Sequence, residues 1–294
     1  MHINYQYLDT DKDRKIYFSI LKNWSQKRLG TVIVLQGAGD SLERYADIFA
    51  GLSNRGFYVA SFDWFGQGQS DTCESFRNKA DKYDLKQHIN DFDRFLHDVV
   101  YPDCPPPYYL LCYDMGCVIG LNATDFINNQ IDRILCVSPL LSPLGVSMDS
   151  LWHKINYCLC SLGLKRIEFS QGANNVVQKL DQSGKSIEIQ SIKKSFFNKR
   201  WLSQYCKAIK TLEQRLQNND LKVPTLFLLA NHDKLSSENT AQQMCNNVRL
   251  VDYIKISGVD HDILHSSDKH LNQFWAVLDA FIPGTRINKK SINY

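Results

Sequence analysis

The chain has 294 residues, of which 44% are hydrophobic and 22% charged, enough for one domain with a sizeable core and an ordinary balance for a soluble globular protein. Its formal net charge of +3, with Lys and Arg dispersed, argues against nucleic acid as a partner. The nine cysteines are odd in number and lack framework spacing, which predicts reduced thiols in a cytoplasmic setting, and no apolar run approaches the length that export or membrane spanning needs.

Short apolar runs alternate with helix-period segments, the pattern of an α/β fold with a mostly parallel sheet and crossover helices. His2 to Leu8 and Lys15 to Leu21 flank a polar stretch and predict an antiparallel hairpin at one sheet edge. Thr31 to Gln36 opens with four β-branched residues in an unbroken run and predicts a strand buried on both faces. Asp40-Ser41-Leu42-Glu43 then fits a capping box, opening a helix with Leu42, Tyr45, Ala46, Phe49 and Leu52 on one face and closing near Gly56. A strand over Phe57 to Asp63 follows, then a helix marked by Leu85, Ile89, Phe92, Leu96 and Val99 that the prolines from Pro102 to Pro107 end.

Strands over Tyr108 to Tyr113 and Arg133 to Ser138 flank an apolar helix that starts at Met115. From Pro139 to about Ile209 the alternation fails, which predicts an inserted helical cap over 139–209 between a first core part (1–138) and a second (210–284). The second part holds a strand over Pro224 to Ala230, a helix near Asn239 to Cys245, a strand over Leu250 to Ile256 and a last helix bearing Leu271, Phe274, Leu278 and Phe281; residues 285–294 form a frayed tail.

The segment Cys112-Tyr113-Asp114-Met115-Gly116 must turn sharply from strand to helix, with small residues two before and two after the apex. That is the pattern of a nucleophile elbow, and Asp114 stands at its apex. Taking Cys117 as nucleophile would set Met115 and Ile119 at the crowded positions, which disfavours a cysteine hydrolase. An acid and then a histidine are needed later in the chain; Asp233, just past a buried strand, and His261, after the last strand, arrive in that order. Taken singly, Asp233 could cap a helix and His261 could be a surface residue; the ordered set carries the assignment. The backbone amides of Ala38 and Met115 are the candidate oxyanion donors, and Gly37 and Gly39 let that loop approach closely. Gln36, Tyr113 and Trp152 are candidate substrate contacts. Cys158-Leu159-Cys160 with Cys206 does not match zinc-knuckle spacing, so neither a metal nor a cofactor is expected.

Over nearly its whole length the chain resembles the monoglyceride lipase and lysophospholipase branch of the α/β-hydrolases, a serine aminopeptidase-like family. Gln36-Gly37-Ala38-Gly39-Asp40 with Arg44-Tyr45 is similar to that family's H-G-x-G-E loop and R-Y pair, and Asp63 to Ser70 to its D-x-x-G-x-G-x-S loop. Ser138-Pro139-Leu140-Leu141 and Gly258 to Leu264 also fit family patterns. The resemblance implies a capped α/β-hydrolase acting on a lipid-like or small carboxylic ester. Val146, Met148, Leu151, Trp152 and Ile155 would line an acyl pocket or serve cap-to-core packing, and Lys193, Lys194, Lys199 and Arg200 would form a solvated helix face or meet anionic lipid headgroups.

The elbow departs from the family's G-H-S-M-G-G, because aspartate stands where serine is expected. Carboxylate attack on an ester forms a mixed anhydride, from which an alkoxide leaves less readily than the carboxylate. Two alternatives follow: an Asp-nucleophile hydrolase of epoxides or haloalkanes, whose relatives on this fold often carry Trp where this chain has Met115, or a non-catalytic relative that binds a ligand.

Overall fold

The computed structural model describes residues 4–10, 14–23, 29–71, 85–142, 178–180, 186–188, 199–246 and 248–283. It shows an eight-stranded sheet in the order β1-β2-β4-β3-β5-β6-β9-β10. The strands are β1 (Asn4–Thr10), β2 (Arg14–Leu21), β3 (Thr31–Leu35), β4 (Tyr58–Phe62), β5 (Tyr108–Tyr113), β6 (Ile131–Val137), β9 (Thr225–Ala230) and β10 (Val251–Ile256). Between β6 and β9 the short strands β7 (Gln178–Leu180) and β8 (Ser186–Glu188) pair with each other, antiparallel and apart from the main sheet. The predicted edge hairpin is present, with β1 antiparallel to β2 and β2 antiparallel to β4; from β4 to β10 neighbouring strands run parallel.

Alternation along the central strands sorts their side chains into two cores. On one face Ile33, Leu35, Leu110 and Cys112 pack with helices α2 (Leu85–Phe95), α3 (Met115–Asn122), α4 (Lys199–Gln217) and α5 (Glu238–Cys245). On the other, Val32, Val34, Tyr109, Leu111 and Tyr113 pack with α1 (Ala46–Asn54) and α6 (Asp268–Phe281). With both faces covered, β3, β4 and β5 have no exposed residue, the physical reason for their unbroken apolar runs.

Two expectations need correction. The predicted capping box does not form: a single 3-10 turn, Leu42–Tyr45, opens the first helix, and its N-cap Ser41 makes no side-chain cap bond. The Leu42 amide donates instead to Asp63 Oδ1 at 2.8 Å, while Asp40 turns to Tyr45 and Arg44, so a distant loop caps this helix. The division at 209/210 also falls inside α4, one continuous helix. Trp201, Tyr205, Ile209, Leu212 and Leu216 recur at helical spacing along it and all belong to the core, so the helix is core from Trp201 onward. The cap residues Val146, Met148, Leu151, Trp152, Ile155, Lys193 and Lys194, and the tail, lie outside the described residues.

Candidate active site

The elbow joins β5 to α3 through Asp114 alone, at φ 51° and ψ −118°. Positive φ is costly for a residue with a Cβ, and its neighbours hold it there: the Asp114 amide donates to Val137 O (3.2 Å), and its carbonyl accepts from Cys117 N (3.2 Å) and Leu140 N (3.3 Å). The need for small residues has a visible cause. A Cβ on Gly116 would stand 2.4 Å from the Leu35 carbonyl oxygen and 2.7 Å from that of Gln36, so α3 starts pressed against the end of β3. Cys112, two residues before the apex, faces Gly120 in the next turn of the same helix.

Three side chains from three loops at the C-terminal end of the sheet converge. Asp233, after β9, divides its carboxylate: Oδ1 accepts from the amides of Leu235 and Ser236, both at 2.8 Å, and Oδ2 meets His261 Nδ1 at 2.7 Å. It therefore shapes its own turn and orients the ring at once. His261 Nε2 points to Asp114 Oδ2 at 3.6 Å, a charge contact longer than a hydrogen bond. Asp114 and His261 are only 1% and 4% exposed.

Burial by itself would lower the His261 pKa, but contact with the Asp114 and Asp233 carboxylates outweighs it and carries the ring up to about 10. Asp114 is raised from the ordinary carboxylate value, by burial first and then by Asp40 and Asp233, with His261 opposing. Both carboxylates thus favour the protonated ring.

The loop after β3 lies beside the elbow. Its Gly37 amide donates to the Tyr45 hydroxyl (3.2 Å) and its Gly39 amide to Gln67 Oε1 (2.9 Å); among the described residues nothing accepts from the Ala38 amide between them, nor from Met115 N at the start of α3. Gln36 and Tyr113 are buried, as Asp114 and Met115 are. Gln36 Nε2 lies 3.4 Å from Ser61 Oγ and its carbonyl accepts from Trp64 Nε1 at 3.0 Å, which ties β3 to β4. Tyr113 packs on the sheet face opposite α3, and its hydroxyl donates to Asp262 Oδ1 at 3.2 Å. Alternation along β5 sends it there once Cys112 faces α3. Trp152 lies outside the described residues.

A model of the family described as serine aminopeptidase, S33 matches residues 26–268. The chain belongs to this hydrolase family. The hydrolase is 28% identical over 120 residues to the monoglyceride lipase homolog of Monkeypox virus, a match spanning 38% of each chain. A soluble variant of monoglyceride lipase from Saccharomyces cerevisiae shares its fold with a TM-score of 0.73, at 16% identity and 97% coverage of both chains. The monoacylglycerol lipase of Paleococcus ferrophilus superposes with a TM-score of 0.68 at 14% identity, covering 92% of this chain and 99% of that one.

Beside the converging trio the hydrolase carries a second polar cluster that sequence reading met only as motif matches. Arg44 pairs with both Asp40 and Asp262, the Tyr45 hydroxyl donates to Asp40 Oδ2 at 2.7 Å, and His265 Nδ1 meets Asp262 Oδ1 at 2.8 Å. Burial opposes ionisation of Asp262, yet His265, Arg44 and Tyr113 hold its pKa down at about 2. The cluster joins the Ala38 loop to the His261 loop. The i,i+4 spacing of Asp40 and Arg44 was the local signal for half of it; the link to Asp262 crosses more than two hundred residues of chain. No described helix is long and apolar enough to cross a membrane.

Proposed function

We propose that this hydrolase cleaves a lipid-like or small carboxylic ester, with Asp114 as elbow nucleophile, His261 as acid and base, Asp233 as its orienter and the Ala38 and Met115 amides as oxyanion donors. The observation that carries this reading is the placement of His261, with Nδ1 2.7 Å from Asp233 and Nε2 3.6 Å from the apex carboxylate. The lipid-like substrate rests on the monoglyceride lipases among the relatives.

Proton counting makes aspartate workable at this apex. In a serine hydrolase the hydroxyl proton passes to the histidine and then to the leaving group. Here Asp114 has no proton to give, but its charge keeps one on His261. Asp114 attacks the acyl carbon, the oxyanion settles on the two amides, and the leaving oxygen departs with the Nε2 proton. That leaves an acyl-aspartyl anhydride beside a neutral imidazole. Neutral His261 then takes a proton from water as it adds to the acyl carbon, and the anhydride C–O bond breaks to restore Asp114 and the imidazolium.

The purified protein, beside Asp114→Asn and His261→Ala, should be assayed on a short activated ester and a monoacylglycerol. Turnover by the natural chain is expected, with losses of at least about a thousandfold in each variant. No hydrolysis of either ester by the natural chain would overturn the reading. The apex carboxylate itself favours a second reading, attack on the saturated carbon of an epoxide or haloalkane. An alkyl adduct on Asp114, detected by mass when His261 is replaced, would select it.

A further inference from the structure

Resting on that reading of Asp114 as an acyl acceptor, the nature of the apex group restricts the leaving group. The tetrahedral adduct can expel either the incoming carboxylate or the original leaving group, and the weaker base leaves faster. Even with the His261 Nε2 proton assisting its departure, an alkoxide with a conjugate acid near pKa ~16 competes badly against a carboxylate near ~4. A thiolate, with a conjugate acid near ~8.5, removes more than half of that handicap. Serine at the apex is itself an alkoxide and imposes no such bias.

From the carboxylate at the apex, buried against His261 Nε2 with Asp233 behind the ring, we infer that among carboxylic acyl esters the site prefers an acyl thioester over an alkyl oxygen ester. Burial favours forward partitioning of the adduct for both leaving groups. Asp114 is 1% exposed, so little water solvates the returning carboxylate and its basicity is pushed upward, which lessens the handicap of either leaving group and leaves the order between them unchanged. The step balances with water alone. Asp114 Oδ bonds to the acyl carbon, the C–S bond breaks and the thiol leaves with the His261 Nε2 proton. Water then adds to the acyl carbon, its proton goes to His261, and Asp114 is released as carboxylate. The net reaction is thioester plus water giving carboxylic acid plus thiol.

A matched pair tests this: the octanoyl thioester of N-acetylcysteamine and the octanoyl oxygen ester of N-acetylethanolamine, which differ by one atom. The natural chain is expected to prefer the thioester by at least about a hundredfold in kcat/KM, and Asp114→Ser to shrink that preference to within about tenfold. Asp114-dependent turnover with a preference below about tenfold, or favouring the oxygen ester, would overturn the thioester inference while leaving the nucleophile standing. Failure to cleave either substrate, or full activity in Asp114→Asn, would remove the nucleophile reading and the inference with it. Should the serine variant not fold, octanoyl esters with leaving groups of graded pKa, assayed on the natural chain alone, give the answer. A steep fall in kcat/KM as leaving-group pKa rises supports the inference, and a flat series refutes it.

Discussion

Asp114, His261 and Asp233 together bind one proton that an isolated histidine at the same pH would release. The His261 pKa lies at about 10, above its ordinary value of 6.5, so the stabilisation from this contact is complete below about pH 6.5 and disappears as pH rises through 10. Asp114→Asn removes one of the two carboxylates, and the imidazole should then titrate nearer its ordinary value. Following the ring C–H signals by NMR from pH 5 to 11 checks this; an unchanged midpoint would mean that Asp233 alone holds the proton. The result matters for the proposed mechanism, in which forming an acyl adduct on Asp114 would also remove its charge and so turn His261 from acid into base when water must be activated.

The elbow works as an element because strand, apex and helix are locked into the neighbouring strands. Gly116 is where this lock has no slack: any Cβ meets the backbone carbonyls of Leu35 and Gln36, which cannot swing away as a side chain would. Gly116→Ala should destabilise the protein by about 1–3 kcal/mol, as core overpacking does. Urea unfolding would show it as a lowered midpoint at unchanged slope. An unaltered midpoint would show that α3 can shift away from β3. Gly68 is a second such contact, at φ 52°, where a Cβ would enter the Asp63 carboxylate. Asp63 accepts from Leu42 N and Gln69 N, both at 2.8 Å, and through these bonds the Asp63 to Ser70 motif braces the start of the first helix.

Across the whole molecule, a buried ion pair ties the antiparallel edge to the helical layer. Arg14 on β2 meets Asp91 on α2 at 3.0 Å with side chains only 8% and 1% exposed, and the Arg14 guanidinium also lies over the Phe65 ring. Removing one partner leaves the other charge buried, so Asp91→Ala should cost about 3–5 kcal/mol. The double change Arg14→Met with Asp91→Leu should cost much less, since it leaves no charge behind. Thermal unfolding of the two variants compares them, and equal losses would show that the pair matters through packing alone.

Much of this was legible in the sequence because the signals are local. Unbroken apolar runs mark β3 and β5, and period-3.6 hydrophobicity marks α1 and α2, without any knowledge of partners, and the tight turn around Asp114 demands small residues at fixed offsets. The order apex, acid, histidine is likewise a property of the chain. What stayed hidden depends on contacts distant in sequence. Asp40 looks like a helix cap until Asp63 is seen to occupy that place, and nothing local to Tyr113 announces the bond its hydroxyl makes with Asp262. Helix α4 hid its core stripe among lysines and glutamines, so the cap boundary was drawn through it. The sequence by itself therefore determined the fold class, the residue at the apex and the order of its partners, because each follows from spacing along one chain. Only the tertiary structure decided that His261 stands between two carboxylates, and with it the charge of the site, because that charge depends on distances between separate loops, the Asp114 and His261 loops lying more than a hundred residues apart.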